Sequence, residues 1–126
     1  MGQRYLIDTN VLIDVQMDRL PKKGRDFLAK VMDDNFIVSF ITQIEFLGYK
    51  DVPESSETFI SLADVIEIDK QTICACIDLR KNHKIKLPDA IIAATAIVNN
   101  LTLLTRNISD FKNIENLHVL NLYEME

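Results

Sequence analysis

Apolar residues along this chain gather in five short runs: Tyr5–Ile7, Phe36–Ile41, Val65–Ile68, Leu101–Leu104 and Val119–Leu122. Between them lie stretches with helical period, notably Arg25–Met32, Thr42–Leu47, Thr72–Asn82 and Asp89–Val98. Strand-length runs alternating with helix-period segments predict βαβ units, and such units build an α/β fold with a mainly parallel sheet covered on both faces. No repeat, low-complexity tract or linker interrupts the alternation, which gives a single domain over residues 1–126.

Four element boundaries carry unusual residues. Asp8-Thr9-Asn10 follows the first apolar run, so a strand ends in a carboxylate with a helix directly behind it. Open α/β sheets place ligands at such strand ends. Thr9 or Asn10 is placed to cap that helix, and Asp8 to face the positive end of its dipole. The segment from Pro88 is apolar nearly all round (Ala90, Ile91, Ile92, Ala93, Ala94, Ala96, Ile97, Val98), which predicts a central, buried helix. Pro88 suits its first position and Asn99-Asn100 a left-handed end, leaving Asp89 as the ionisable residue at its mouth. Thr42-Gln43-Ile44-Glu45 has the form of a capping box, which offers Glu45 a local role beside any chemical one. Asp110 closes a polar turn after the fourth run, where Phe111 can anchor the chain to the core.

Composition narrows the classes. With 48% hydrophobic and 26% charged residues, the 126-residue chain belongs with folded proteins. No apolar run approaches the roughly 20 residues that span a bilayer. Met1-Gly2-Gln3-Arg4 leads into a strand without a secretory core, and Leu6 breaks a myristoylation pattern, so a cytoplasmic location is expected. The net charge of −5 argues against a nucleic-acid binder of the simple polycationic kind but leaves room for one that binds phosphate through metals and a local basic rim. Local basic rims remain: Arg80, Lys81, Lys84 and Lys86 near Asp89, Arg106 and Lys112 near Asp110, and Arg19, Lys22, Lys23 and Arg25 in an early loop. Cys74 and Cys76, two apart on a predicted helix, face different ways and are read as small buried apolar groups. His83 and His118 lack any ligand spacing and are expected at the surface.

The acids gain meaning together. Asp8, Glu45, Asp89 and Asp110 all fall at element ends. Several carboxylates at one sheet edge repel each other unless a cation neutralises them, and Mg²⁺ or Mn²⁺ suits hard oxygen donors. A Cys/His set for zinc, a Gly-rich phosphate loop and a Ser or Cys nucleophile motif are all missing from the sequence.

Asp8-Thr9-Asn10, the Thr42-x-x-Glu45 helix start, Leu87-Pro88-Asp89-Ala90-Ile91-Ile92-Ala93-Ala94 and Leu104-Thr105-Arg106-Asn107-x-x-Asp110-Phe111 resemble PIN-domain ribonucleases. The nearest likeness is to the VapC-type toxins of bacterial toxin–antitoxin pairs, and it covers essentially the whole chain. The resemblance implies a three-layer α/β/α sandwich with about five strands and a Mg²⁺- or Mn²⁺-dependent endoribonuclease. It also implies inhibition by a cognate antitoxin and a homodimer, while the short apolar runs themselves lead to an expectation of no membrane association. It makes Asp8, Glu45 and Asp89 metal-holding acids and Asp110 the fourth, with Asn107 a polar or water-mediated contact. Thr9, Asn10 and Thr105 would orient ligands or solvent, and Lys84, Lys86 and Arg106 would line the RNA.

The mechanism expected is hydrolysis of an RNA phosphodiester by metal-activated water. A haloacid-dehalogenase-like phosphotransferase would need a second acid where Asn10 stands, and a receiver domain an acid pair that is not visible. The rival from another class is a PIN-like scaffold that binds partners and cleaves little, its acids serving as helix caps.

Overall fold

Five strands, all parallel, form the centre of the computed structural model, which describes residues 3–48, 50–51 and 53–125. The reading of the N-terminus at Met1 and Gly2 lies outside those residues. β1 (Tyr5–Ile7) pairs with β4 (Thr102–Leu104), and β4 pairs with β5 (Val119–Leu120). β2 (Ile37–Ser39) pairs with β3 (Asp64–Ile66) in a second ladder that lies against β1. The helices are α1 (Thr9–Gln16), α2 (Lys22–Asp34), α3 (Phe40–Leu47), α4 (Ser55–Ser61), α5 (Lys70–Asn82) and α6 (Leu87–Val98).

Alternation along each strand sends neighbouring side chains to opposite faces. Leu6, Ile37 and Leu103 join one core with Cys76 and Leu79 of α5 and the buried alanines and isoleucines of α6. Ile7, Val38 and Leu104 join a second with Val11, Leu12, Leu28, Phe46 and Ile60 from α1 to α4. The result is the expected three-layer α/β/α sandwich. Among the described residues no helix is long and apolar enough to cross a membrane.

Two apolar runs prove to be strand and helix together. The run Phe36–Ile41 ends as strand at Ser39, whose side chain accepts a hydrogen bond from Ile41 N at 3.2 Å and starts α3 two residues early. Asn121 likewise ends β5 and caps a 3₁₀ turn, Leu122–Glu124. Helix α4 has no helical period in the sequence, because Ser55-Ser56-Glu57-Thr58-Phe59-Ile60-Ser61 holds only one adjacent apolar pair; Ile60 and the small Ser56 are its buried residues. Lys22, Lys23 and Arg25 lie in α2 rather than in a loop. Cys76 is buried as expected, but Cys74 is exposed, since only one of two residues two apart can face the core.

Helix α6 is central, with Ala90 to Ala96 all buried. It begins at Leu87, so Pro88 stands second, still within the turn whose amides lack helical acceptors. At its end Asn100 takes φ 55°, Leu101 N donates to Ala96 O at 2.9 Å and Asn100 N to Ile97 O at 3.3 Å. This double bond pattern satisfies the last carbonyls and drops Leu101 into the core. Near the C-terminus, α2 meets the Leu122 turn so closely that a Cβ on Gly24 would lie 2.3 Å from Leu122 O.

Candidate active site

Backbone pairing past the strand ends brings the first acid into place. Asp8 N donates to Leu104 O at 3.0 Å, extending the β1–β4 ladder by one residue before the chain turns into α1. Asp8 itself caps α1, its Oδ1 accepting from Thr9 N at 2.8 Å. The cap expected of Thr9 or Asn10 is thus displaced by one residue, and both stand within the first turn. Just past β4, Thr105 N donates to Leu120 O at 3.2 Å, which sets Thr105 Oγ1 to donate to Asp8 Oδ2 at 2.7 Å. Both carboxylate oxygens are therefore fixed. Asp8 is only 5% exposed. Burial pushes its pKa from 3.8 up to about 6, against the lowering by Thr105 and Thr9 and with a further rise from the Asp89 and Glu45 charges.

Glu45 reaches the same place from α3. Because that helix starts at Phe40, Glu45 lies in its second turn, and the capping box does not form. Ser39 does the capping, while Thr42 is fully buried. Thr9 Oγ1 donates to Glu45 Oε1 at 2.7 Å and shares a 3.1 Å hydrogen bond with Thr42 Oγ1. Thr9 thus ties Glu45 to the turn that holds Asp8. This link could not be read from spacing, since the two residues are 36 apart in sequence.

Asp89 is the third residue of α6 and half-buried. Burial raises its pKa, the Asp110 and Glu45 charges raise it further, and Lys86 opposes them. Asp110 is exposed on the 3₁₀ turn Ile108–Phe111, which buried Phe111 anchors as expected. Asn107 organises that turn through its backbone: its N–H donates to Thr105 Oγ1 at 3.0 Å and its carbonyl accepts from Asp110 N at 3.1 Å. Asp110 is the largest of the charges felt at Asp89.

The basic rim divides. Lys84 and Lys86 are exposed between α5 and α6, with Lys86 at the N-cap of the helix that carries Asp89. Arg106 is already engaged: its Nη1 lies 3.1 Å from Asp14 Oδ2, and its guanidinium 5.6 Å from the Tyr123 ring centre. Asp14 and Tyr123 escaped the sequence reading. A lone acid inside Val11-Leu12-Ile13-Asp14-Val15 was the available signal.

Among the described residues, no three His, Cys, Asp or Glu side chains close into a cage for an ion. The donor set is four carboxylates with hydroxyl support, all hard oxygen, on an open edge. That chemistry suits Mg²⁺ or Mn²⁺, which bind through one or two carboxylates and keep several waters. Burial is the main cause of the raised pKa of Asp8 and Asp89, and neighbouring carboxylates add to it, a smaller contribution that a divalent cation would offset.

Residues 5–117 match the PIN domain family model. Among solved structures, the chain is similar to one in the "Toxin-antitoxin complex from Klebsiella pneumoniae". The two are 31% identical over 96% of this chain and 99% of that one, with a TM-score of 0.74. It is also similar to a chain of VapBC2 from Rickettsia felis, bound to a DNA fragment from their promoter. That identity is 26%, coverage 94% and 98%, and TM-score 0.78. DNA-bound VapBC from Salmonella typhimurium shares the fold at 23% identity, with 96% and 99% covered and a TM-score of 0.79. Among curated protein sequences no match is found.

Proposed function

The chain belongs to the PIN domain family, and from that membership we propose that it is a Mg²⁺- or Mn²⁺-dependent endoribonuclease, the VapC-type toxin of a toxin–antitoxin pair. The observation that carries the reading is the gathering of Asp8, Glu45, Asp89 and Asp110 from four separate elements into one electrostatically coupled group at the C-terminal edge of the sheet. Helix capping accounts for Asp8 alone; it does not account for Asp89 and Glu45 acting on Asp8, or for Asp110 acting on Asp89.

Asp8 and Asp89 would hold the metal, and Glu45 and Asp110 would complete its surroundings through water or a second, weaker site. Bound there, the ion supplies positive charge beside the scissile phosphate and lowers the pKa of water. Thr105 and the Thr9 amide hold both oxygens of Asp8 in one orientation. Thr9 occupies Glu45 Oε1, leaving Oε2 of this exposed side chain to accept a proton from water at the site. Lys86, whose charge acts on Asp89, and the exposed Lys84 two residues before it would offer positive charge to an RNA backbone, which a chain of net charge −5 needs locally.

An antitoxin partner and a homodimer belong to the same proposal. Ile68, Ile73, Ile77 and Leu87 are each at least 43% exposed and line one groove between α5 and α6, an apolar surface that a second polypeptide would cover.

Product ends test the chemistry. Water attack leaves a 5′-phosphate and a 3′-hydroxyl, whereas attack by the RNA's own 2′-hydroxyl leaves a cyclic phosphate. Cyclic ends would overturn the mechanism. Intact RNA, from folded protein given metal, would favour a PIN-like scaffold that acts by binding.

A further inference from the structure

Asp14 lies beyond the four acids and is not used by them. It sits near the end of α1, 4% exposed, with no place in the proposed chemistry. Burying a carboxylate is costly unless its oxygens are fully matched. Here the matching is drawn from two distant segments. Arg106, in the connection after β4, donates to Asp14 Oδ2 at 3.1 Å, and the Tyr123 hydroxyl donates to the same oxygen. Arg19 approaches Oδ1 at 4.0 Å. The Arg106 guanidinium also stacks near the Tyr123 ring at 5.6 Å, so the three side chains form a closed set.

The position of that set matters because Arg106 is flanked by the two residues that shape the site. Thr105 grips Asp8, and the Asn107 amide in turn grips Thr105 Oγ1 at 3.0 Å. A tripeptide held at its first residue by β5 and at its middle residue by Asp14 has little freedom to swing Thr105 off Asp8. We infer that Asp14, Arg106 and Tyr123 are positioning residues: through the Thr105–Asn107 segment they fix the orientation of the Asp8 carboxylate. This assigns Arg106 an internal role in place of the RNA contact that its sequence position suggests. The inference rests on the metal-site reading above.

The two roles of Arg106 make opposite demands on experiment. The measurement is Mn²⁺ affinity by calorimetric titration of the antitoxin-free full chain, without RNA, for wild type, Asp14→Asn, Arg106→Gln, Arg106→Lys and Tyr123→Phe. RNA-cleavage kinetics are run in parallel. Residues that orient metal ligands typically change affinity by about 10-fold or more when removed. Asp14→Asn and Arg106→Gln should therefore weaken Mn²⁺ binding about tenfold, Tyr123→Phe less, and Arg106→Lys should recover part of the loss, all with KM for RNA unchanged. A folded Arg106→Gln protein with wild-type Mn²⁺ affinity and a raised KM would overturn the inference and return Arg106 to the RNA rim. Should the Asp14 or Arg106 variants fail to unfold cooperatively, Tyr123→Phe decides, because it deletes one hydroxyl and keeps the ring. Wild-type protein that takes up no Mn²⁺ would instead remove the metal-site reading itself.

Discussion

Thr105 Oγ1 donates to Asp8 Oδ2 at 2.7 Å across 97 residues of sequence, joining the ends of β1 and β4. Both residues are buried, and the bond lowers the Asp8 pKa against the larger rise from burial. The strand ladder thus brings a hydroxyl to a carboxylate that would otherwise be desolvated with one fixed oxygen.

Thr105→Val keeps the shape and removes the donor. An unsatisfied buried acceptor costs about 1–3 kcal/mol, and loss of an orienting hydrogen bond about 10–100-fold in metal affinity or activity. The variant should unfold at lower urea concentration and cleave RNA at least about tenfold more slowly at limiting Mg²⁺. Thr105→Ser should restore most of both. Wild-type behaviour in Thr105→Val would mean that the bond is incidental.

Asp8 gives the metal-free protein a distinctive pH dependence. Its pKa is about 6 folded against 3.8 in its ordinary state, so between those values the folded chain binds the extra proton. Stability from this group is therefore greatest at and below about pH 4 and falls as pH rises to about 6, by at most about 3 kcal/mol. Urea unfolding in a chelator should show this decline in wild type, and Asp8→Asn should flatten it and be more stable above pH 6. Mg²⁺ added at neutral pH should stabilise wild type and not the variant. An unchanged slope in Asp8→Asn would assign the pH dependence to other groups.

Much of the fold was legible because its signals are local. Parallel strands buried on both faces read as continuous apolar runs, and the buried α6 announces itself by lacking a polar face. The Asp8, Asp89 and Asp110 turns sit at punctuation that the sequence displays. Boundaries were harder, because Phe40 and Ile41 are as apolar as the strand before them and only Ser39 marks the change. The capping box failed for that reason: Thr42 and Glu45 have the right spacing, but the helix had already begun. Least legible were the pairs made by topology, such as Thr9 with Glu45 and Asp14 with Arg106, which no spacing rule joins.

Gly24 offers a mechanical test of the C-terminal segment. A methyl group there would collide with Leu122 O, a backbone atom, at 2.3 Å. Overpacking of this kind typically costs about 1–3 kcal/mol. Gly24→Ala should lower stability by that amount and, by displacing the turn that carries Tyr123, weaken Mn²⁺ binding too. Lost stability with wild-type Mn²⁺ affinity would separate the C-terminal turn from the site.

The most direct measurement is incubation of purified, antitoxin-free protein with total bacterial RNA, with and without Mg²⁺ or Mn²⁺, beside Asp8→Asn and Asp89→Asn. A metal-dependent nuclease yields discrete fragments from wild type only when metal is present, and none above background from either variant. Cleavage that persists in chelator, or survives Asp8→Asn in folded protein, would contradict the assignment of the four-acid edge as the active site.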